Sequence, residues 1–329
     1  MAEIAARPDR DACPLCGGHD HRIVGHRDRA GGPLTSALCQ ACGHVFTIPR
    51  PSDADLSAYY SEHYREDYKG VTAPRPKHIL RAGHRALERL AQLRDLVAPG
   101  ARVLDIGAGG GEFLYICAKA GFTVCGIEPH RGYAAHARER LGLDIFAGGF
   151  QAAVYNAGTF DAVTMHHVLE HLPEPRHAVR KIRDWLKPDG ILIVEVPNIE
   201  SWYHAPRRRF HRAHIQSFNR HGLADLMCNE GFAVESLTRT PHTDHLNIVA
   251  RKVERADIPT AWRDAHAEIE TALAAHTPLA HLISGRPLRR LWANLKRPMR
   301  ERRDLMEIND ARSARGILDH LCRQNGLSS

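Results

Sequence analysis

The pattern of hydrophobic and polar positions changes its period several times along the chain. Short apolar runs, typical of buried parallel strands, alternate with stretches in which apolar residues recur every three or four positions, as in a helix packed on a sheet. The predicted strands are residues 103–106, 123–127, 144–147, 160–165 and 190–196. The predicted helices are residues 76–97, a stretch that ends at residue 120, and residues 131–141, 177–186 and 222–230. This alternation predicts an α/β fold with a Rossmann-like parallel sheet.

The segments that follow these strands and helices predict one more sheet element and a helical extension. Residues 233–240 and 245–251 predict an antiparallel hairpin that closes the sheet at one edge. Beyond the hairpin, helical periodicity in residues 262–275 and 308–324 predicts a helical C-terminal extension. The expected division of the chain is therefore 1–50, 51–75, 76–252 and 253–329.

Charge and apolar content narrow the classes of function only a little. The chain has 45 Lys and Arg against 38 Asp and Glu, and a net charge of +7 is too mild by itself to indicate nucleic-acid binding. Residues 1–72 carry 8 basic and 10 acidic residues, which disfavours an RNA-binding N-terminal module. No apolar run approaches the roughly 18–20 residues that span a bilayer, and residues 1–10 lack the core of a signal peptide. We therefore expect a cytoplasmic protein.

The first predicted strand ends in a glycine-rich turn, Asp105-Ile-Gly107-Ala-Gly109-Gly-Gly111. Glycines between a strand and a helix N-terminus let a ligand approach the backbone closely. The spacing differs from the G-x-G-x-x-G fingerprint, and Asp105 would repel a pyrophosphate, so an NAD-binding domain is the weaker interpretation. The next strand ends near Glu128, whose carboxylate can accept hydrogen bonds from both hydroxyls of a ribose.

This pattern resembles the S-adenosylmethionine (SAM) site of class I methyltransferases. The resemblance implies a seven-stranded class I methyltransferase sheet in residues 76–252, with SAM as the cofactor. The residues that it implies for cofactor binding are Asp105, Gly107, Ala108, Gly109, Gly111, Glu128, Pro129, Phe150 and His166. Many relatives carry an Asp where this chain has Gly148-Gly149-Phe150. Adenine recognition is therefore expected from backbone groups or from Phe150.

The N-terminal module contains two C-x2-C pairs, Cys13–Cys16 and Cys39–Cys42. Each pair can supply two thiolates to a tetrahedral Zn²⁺ ion with little strain. We expect a zinc ribbon in residues 1–50 with a purely structural ion, because four thiolates leave no open position for chemistry. The nearby histidines that could replace a cysteine are His19, His21, His26 and His44.

The connector, residues 51–75, is rich in tyrosine. By itself this pattern indicates a surface helix whose aromatic side chains pack inward. Together with the cysteine-rich module, however, it resembles the N-terminal segment of bacterial methyltransferases that act on sugars and polysaccharide precursors. That resemblance implies that Tyr60, Tyr64 and Tyr68 cover the acceptor side of the SAM pocket.

A histidine-rich stretch, His166-His167-Val-Leu-Glu170-His171, follows the fourth predicted strand. It resembles the fourth motif of the same superfamily, particularly of ubiquinone-biosynthesis-like and sugar-modifying members. Ligands bind at the carboxyl ends of such strands, and a histidine there can deprotonate a hydroxyl near neutral pH. His167 and His166 are therefore candidate catalytic residues, and a role in shaping the loop is the alternative. Glu170 and His171 are expected to orient the loop.

The loop after the fifth strand is the most basic part of the chain. In the resembling families this connection binds the acceptor, and a His before a Ser/Thr-Phe pair near its end is matched by His214. We therefore add His214 to the candidate catalytic residues. The candidates for acceptor binding in this loop are Arg207, Arg208, Arg209, Arg212 and His204. A guanidinium cluster suits a phosphate or carboxylate, and a solvated basic loop is the alternative.

Residues 286–303 predict a basic amphipathic helix in the C-terminal extension. Three interpretations stay open for it: packing on the core or on another subunit, peripheral contact with an anionic membrane, and RNA binding.

The sequence as a whole predicts a SAM-dependent methyltransferase that acts on an oxygen or a carbon of a small, anionic acceptor. A phosphorylated or nucleotide-linked sugar is the best single expectation for that acceptor, and nucleic acid is not expected as a partner. Two alternatives stay open. The first is an RNA base methyltransferase that binds RNA through its zinc ribbon, and the second is a SAM-binding scaffold without catalysis.

Overall fold

A computed structural model describes residues 10–51, 73–241, 243–254, 262–308, 310 and 313–327. Within them the chain forms two sheets. The strands of the small sheet are β1 (His21–Arg27), β2 (Pro33–Cys39), β3 (Val45–Thr47) and β9 (Gln216–Ser217). The strands of the large sheet are β4 (Arg102–Ile106), β5 (Thr123–Glu128), β6 (Ile145–Ala147), β7 (Phe160–His166), β8 (Leu186–Val196), β10 (Phe232–Arg239) and β11 (Leu246–Lys252).

The large sheet is the predicted seven-stranded class I methyltransferase sheet. Its strand order is β10-β11-β8-β7-β4-β5-β6, and only β11 runs opposite to the other six strands. The α-helices are α1 (Pro76–Arg94), α2 (Glu112–Lys119), α3 (Arg131–Leu141), α4 (Pro175–Trp185), α5 (Arg220–Asn229), α6 (His266–Ala275), α7 (Pro278–Ile283), α8 (Arg286–Met306) and α9 (Ala314–Gln324). Because six strands run in the same direction, their carboxyl ends share one edge of the sheet, where this architecture binds ligands.

The hydrophobic core lies on both faces of this sheet. Successive residues of a strand point to opposite faces: Leu104 packs in the cluster that includes side chains of α4 and α5, and Val103 packs in the cluster that includes α1, α2 and α3. The second cluster also contains Ile317 and Leu321 of α9. The C-terminal extension thus contributes to the core of the sheet.

The small sheet is joined to the large one through β9, a two-residue strand from the loop after β8. Val45 and Phe46 pair with Ser217 and Gln216 in antiparallel register. The side-chain amide nitrogen of Gln216 also donates hydrogen bonds to the carbonyl oxygens of Leu172 and Pro173. The side-chain oxygen of the same residue contacts buried His44 at 2.8 Å. The N-terminal module is therefore anchored on the loop that the sequence assigns to acceptor binding.

Several element boundaries differ from the predicted ones. Helix α1 ends at Arg94 rather than at residue 97, because the amides of Leu96 and Val97 turn back to the carbonyl of Leu93. Val97 still packs on the core, so the apolar period continues past the end of the helix. Strand β8 begins at Leu186, four residues before the predicted start. Helix α7 was absent from the prediction because its six residues are too few for a clear period.

Among the described residues, no helix is both long enough and apolar enough to span a bilayer.

Candidate functional site

The glycine-rich turn connects β4 to α2 and is held against the end of β5. The amides of Gly107 and Ala108 both donate to the carbonyl of Ile127, at 2.8 and 2.9 Å. Gly107 has a φ of +80°, and a Cβ built there would lie 2.4 Å from a methyl group of Val168. The turn therefore needs glycine for its backbone conformation and for the close approach of the loop after β7.

Gly111 lies at the end of the turn, and its predicted contact with the cofactor stays a prediction. It caps the N-terminus of α2 with a φ of +86°, and a Cβ there would lie 2.5 Å from Leu143. Whereas Gly107, Ala108 and Gly109 line the cleft beside the turn, Gly111 is not among the residues that line it. Its glycine is required by packing beneath the turn.

Glu128 ends β5 with its carboxylate against the glycine turn. One carboxylate oxygen accepts a hydrogen bond from the amide of Gly109 at 2.8 Å, and the other accepts from the amide of His130 at 3.1 Å. A carboxylate offers about four acceptor positions, and one that ends a strand beside a glycine turn can accept hydrogen bonds from the hydroxyls of a ribose. This geometry fits the cofactor contact that the sequence predicts.

Asp105 lies at the end of β4 and is buried. Its carboxylate accepts a hydrogen bond from the hydroxyl of Thr164 at 2.7 Å, and the Nδ1 atom of His166 lies 3.6 Å away. That Nδ1 atom is buried and has no hydrogen-bond partner within the described part of the chain. The pair thus presents an unsatisfied polar atom at the strand ends.

A single cleft of 1140 Å³ joins the glycine turn to the histidine-rich loop. The predicted site residues that line it are Asp105, Gly107, Ala108, Gly109, Glu128, Pro129, Phe150, His166, His167, His204, Arg208, Arg209 and His214. Tyr60, Tyr64 and Tyr68 lie outside the described residues, so their predicted contact with the acceptor stays a prediction.

Phe150 forms part of the wall where many methyltransferases carry an Asp. Its ring packs edge-on against Trp185 at a centroid distance of 5.5 Å, and the Lys181 ammonium lies 5.1 Å from the ring centre. These contacts fix the ring beside the backbone of Gly148 and Gly149. An aromatic wall and backbone groups are thus available to contact an adenine ring at this end of the cleft.

His167 lies at the centre of an ion-pair cluster on the other side of the cleft. Its Nε2 atom contacts Glu195 Oε1 at 3.0 Å, and its Nδ1 atom lies 3.5 Å from Glu170 Oε1. Burial alone would lower the pKa of His167, but the neighbouring carboxylates of Glu170 and Glu195 outweigh it and raise the pKa to about 9. At neutral pH this imidazole is therefore protonated and cannot accept a proton.

Glu195 connects His167 to residues that sequence reasoning missed. The same carboxylate contacts the ring of His245 at 3.3 Å and the guanidinium of Arg89 at 3.4 Å. Burial would raise the pKa of Glu195, but His167, His245 and Arg89 lower it far below its ordinary value. The Glu195 carboxylate therefore stays ionised, and the side chains of His167, His245 and Arg89 all contact it.

A second group of histidines lies on the other side of Glu170. The Nδ1–H of His171 donates to the carbonyl of Ala213 at 2.6 Å, and the ring of His171 lies 5.0 Å from that of His214. Neither carboxylate oxygen of Glu170 has a hydrogen-bond partner among the described residues. Glu170 Oε1 lies 3.5 Å from His167 Nδ1 and 3.9 Å from His171 Nε2, so Glu170 lies between the two rings, which agrees with its expected role in orienting the loop.

The other two catalytic candidates are neutral at pH 7. Burial, followed by the charge of Arg89, lowers the pKa of His166 to about 4. Burial and the neighbouring histidines His171 and His211 bring the pKa of His214 well below its ordinary value. Each therefore has an unprotonated ring nitrogen that can accept a proton.

The predicted arginine cluster does not converge on one point. Arg208 and Arg209 line the cleft, and Arg209 is also bonded to the Nδ1 atom of His276 at 3.1 Å. Arg207 and Arg212 are exposed and are not among the residues that line the cleft. Other cationic side chains from distant segments line it instead, namely Arg29, Arg81, Arg85, Arg89, Arg131, Arg290 and Arg297.

The N-terminal module contributes Arg29 to the lining of this cleft. The amide of Arg29 donates to the carbonyl of Phe210 at 2.8 Å, and a Cβ at Gly25 would lie 2.4 Å from the ring of Phe210. The β1–β2 hairpin is thus packed directly on the arginine-rich loop. Its tip brings the Arg29 side chain into the cleft.

The four cysteines of the module converge. Their sulfur atoms all lie within 4.8 Å of one another, with Cys13 and Cys42 3.7 Å apart and Cys16 and Cys39 3.5 Å apart. Four thiolates around Zn²⁺ at about 2.3 Å would have their sulfurs about 3.8 Å apart. The arrangement fits a tetrahedral metal site. His44 is bonded to Gln216 and lies outside this group.

A family model described as a methyltransferase domain matches residues 76–237. The chain carries a class I methyltransferase domain. SAM is the cofactor of this class, and the seven-stranded sheet and the turn at Gly107 agree with the assignment. The matched residues thus contain both the glycine turn and the histidines His166, His167, His171 and His214.

Curated relatives of the domain include both O- and C-methyltransferases. A ubiquinone biosynthesis O-methyltransferase from Actinobacillus pleuropneumoniae is 37% identical over 109 residues, which are 30% of this chain and 47% of that protein. C-methyltransferase NovU from Streptomyces niveus is 24% identical over 209 residues, which are 57% of this chain and 47% of NovU. The chain spans about half the length of these curated relatives.

A solved structure also resembles the methyltransferase domain. A SAM-dependent methyltransferase from Mesorhizobium loti aligns with a TM-score of 0.43 at 17% identity, over 49% of this chain and 96% of that one.

No motif or spacing near Glu195 or Arg89 in the sequence indicates that these residues belong to the site. Glu195 lies within an apolar strand, and Arg89 occupies a polar position of a helix whose apolar face was the recognised feature. One signal could have been used for Glu195, because a charged residue inside a predicted buried strand requires a partner.

Proposed function

We propose that the protein transfers the methyl group of SAM to an oxygen or a carbon of a small anionic acceptor. The observation that carries this proposal is the single cleft shared by Glu128, the glycine turn and the histidine cluster. The cofactor's ribose would be held by Glu128, and its base would lie toward Phe150. The acceptor would then enter between the histidines and the arginine-rich loop.

The charges around the acceptor side support an anionic group on the acceptor. Arg29, Arg208 and Arg290 reach this side of the cleft from three separate segments. Guanidinium groups bind phosphate and carboxylate in a bidentate manner. A phosphorylated or nucleotide-linked sugar suits these groups, and it remains our preferred acceptor.

His214 is the best placed of the three candidates to act as base. His167 is protonated at neutral pH, so its positive charge can orient an anionic or polarised acceptor but cannot accept a proton. His166 is packed edge-on against Phe113 beside Asp105. His214 is neutral and lines the cleft between the His171 and His211 rings.

The reaction would be an in-line displacement. When bound, SAM supplies a methyl group on a positively charged sulfur. The cleft would hold the acceptor oxygen or carbon in line with that methyl group and its bond to sulfur, and His214 would take up the acceptor proton. The walls of the cleft contribute to the rate by holding the reacting atoms about 3–3.5 Å apart.

The cysteine cluster would hold a structural Zn²⁺ ion. All four sulfurs are directed to one point and would be used for ligation, so the ion would have no open position. We propose that it stabilises the hairpin whose tip places Arg29 at the acceptor side of the cleft.

The test combines binding and transfer. Calorimetry should show that the protein binds SAM and its demethylated product. Incubation with methyl-labelled SAM and a panel of nucleotide sugars, sugar phosphates, phenolic carboxylates and RNA should label a small anionic acceptor. Labelling of RNA would instead favour the RNA base methyltransferase, SAM binding without any transfer would favour the scaffold, and absence of SAM binding would overturn the proposal.

A substitution of His214 tests its assignment as the catalytic base. His214→Asn should lower kcat on the order of a hundredfold or more and leave SAM affinity unchanged. His320→Asn, in α9 and outside the cleft, is the matched control. Full activity of His214→Asn would exclude it as the base.

A further inference from the structure

Helix α8 is attached to the body of the protein mainly through polar side chains, and Leu305 near its C-terminal end packs on the core. Glu301 forms a bidentate ion pair with Arg81 of α1. Near the other end, the Arg290 guanidinium contacts the carbonyl of Tyr203 at 3.2 Å and His204 Nδ1 at 3.1 Å, and it lies 4.7 Å from the centre of the Tyr203 ring. An ordinary surface helix buries its apolar face, whereas α8 packs its polar face inward.

The apolar face of α8 consequently points to solvent. The residues of this stripe are Leu288, Leu291, Trp292, Leu295, Met299 and Met306, which are 55–79% exposed. Leu291 and Trp292 are adjacent, and the other steps along the stripe are three, four or seven residues, so all six side chains lie within about 100° of the helix circumference. Helix α7 adds Leu279, Leu282 and Ile283, which are 65–76% exposed. We call these nine side chains the apolar stripe. In the described part of the chain, only three other large apolar side chains are exposed.

Basic residues border the apolar stripe. Helix α8 contains eight Lys and Arg residues against two acidic residues, and one of the latter, Glu301, is used by Arg81. Arg289, Lys296 and Arg300 each directly follow a residue of the stripe, so they lie about 100° around the helix from it. An apolar face with cations along its side is the arrangement of helices that lie in the plane of a membrane surface.

We propose that the apolar stripe and its basic border form a docking surface for an anionic lipid bilayer. Leucine, tryptophan and methionine side chains would enter the boundary between headgroups and acyl chains, while the arginines contact lipid phosphates. A second copy of this chain fits less well, because self-association would bring two strongly cationic helices together. RNA would leave the apolar side chains exposed.

Helix α8 connects the proposed docking surface to the cleft. Arg290 and Arg297 of the same helix line the cleft. A bilayer bound to the stripe would therefore lie on the outer side of the helix whose inner side lines the cleft, and an anionic acceptor at the membrane surface would reach the cleft around this helix. The inference goes beyond the proposed methyl transfer, and its test needs neither SAM nor an acceptor.

The test is co-sedimentation of the full chain with vesicles. We expect binding to vesicles of phosphatidylcholine with about one-third phosphatidylglycerol, weaker binding in high salt, and little binding to pure phosphatidylcholine. Arg289→Gln combined with Arg300→Gln should weaken binding about fivefold for each charge removed. Arg140→Gln combined with Arg323→Gln removes two exposed charges elsewhere and should leave binding unchanged.

The apolar contribution is tested in the same assay. Leu295→Ser should weaken binding on the order of tenfold, whereas Val154→Ser, which removes an 85% exposed apolar side chain far along the chain, should not. Trp292 supplies a signal specific to the stripe. Its emission should shift to shorter wavelength on vesicle binding, and the shift should disappear in Trp292→Phe while sedimentation persists.

Four results would overturn the proposal. The first is equal binding to neutral and anionic vesicles, and the second is equal effects of the stripe variants and their controls. The third is a concentration-dependent dimer that Leu295→Ser dissociates, in a protein that does not sediment with vesicles. RNA binding that depends on Arg289 and Arg300, without vesicle binding, would likewise replace the lipid by RNA.

Discussion

The ion-pair cluster around His167 makes a prediction about stability and pH. Because Glu170 and Glu195 raise the pKa of His167 from 6.5 to about 9, the folded protein holds a proton there that the unfolded chain releases at lower pH. A raised pKa contributes stability that is fully present below pH 6.5. That stability is lost as the pH rises through about 9.

The size of the effect follows from the shift. A difference of about 2.5 pKa units, at about 1.4 kcal/mol for each unit, corresponds to about 3 kcal/mol in the free energy of unfolding. The His167 side chain is 29% exposed, so solvent screening does not remove most of this contribution.

His167→Asn is the suitable perturbation. His167 has a φ of +59°, and asparagine tolerates this left-handed region better than most residues, so the variant adds little backbone strain. Urea unfolding of both proteins should give a difference in free energy that shrinks by about 3 kcal/mol between pH 6.5 and 9.5. His136→Asn is the control, because burial lowers the pKa of His136 and its contribution is constant in this range.

A pH-independent difference would refute this reasoning. It would mean that His167 is neutral in the folded protein and that its effect on stability comes from packing alone. An NMR titration of the His167 ring gives a second measurement of the same quantity. A pKa below 7 would restore His167 as a candidate base.

The remaining predictions concern the cofactor, the metal and the acceptor. Glu128→Ala should weaken SAM binding about tenfold or more in calorimetry, because at least one charge-assisted hydrogen bond is lost, and unchanged affinity would contradict the cofactor assignment. Metal analysis of protein purified without added metal should find one Zn²⁺ per chain and substantially less in Cys39→Ser, and equal contents would refute the four-thiolate site. Arg208→Gln should raise the acceptor KM without changing SAM affinity, with Arg140→Gln as the control, and loss of SAM affinity would assign Arg208 to the cofactor side instead.

The sequence by itself determined the parallel sheet and the residues at its carboxyl edge. The period of the apolar runs specified the strands within a few residues. The glycine turn and Glu128 were also recognisable, because their roles depend on backbone conformation and on position at a strand end. Such features are local, and they remain visible in a single sequence.

Only the tertiary structure decided which charged groups meet. Glu195, His245 and Arg89 come from three distant segments, and no local period records that they share one buried point. The pKa of His167 depends on that meeting, so the same histidine changes from a candidate base to a fixed cation.

The structure also decided the orientation of amphipathic elements. Residues 286–303 were recognisable as a basic amphipathic helix, but periodicity cannot tell which face turns inward. The ion pair of Glu301 with Arg81 and the contacts of Arg290 select the polar face. Because long-range pairs set this choice, the exposed apolar stripe became apparent only in the folded protein.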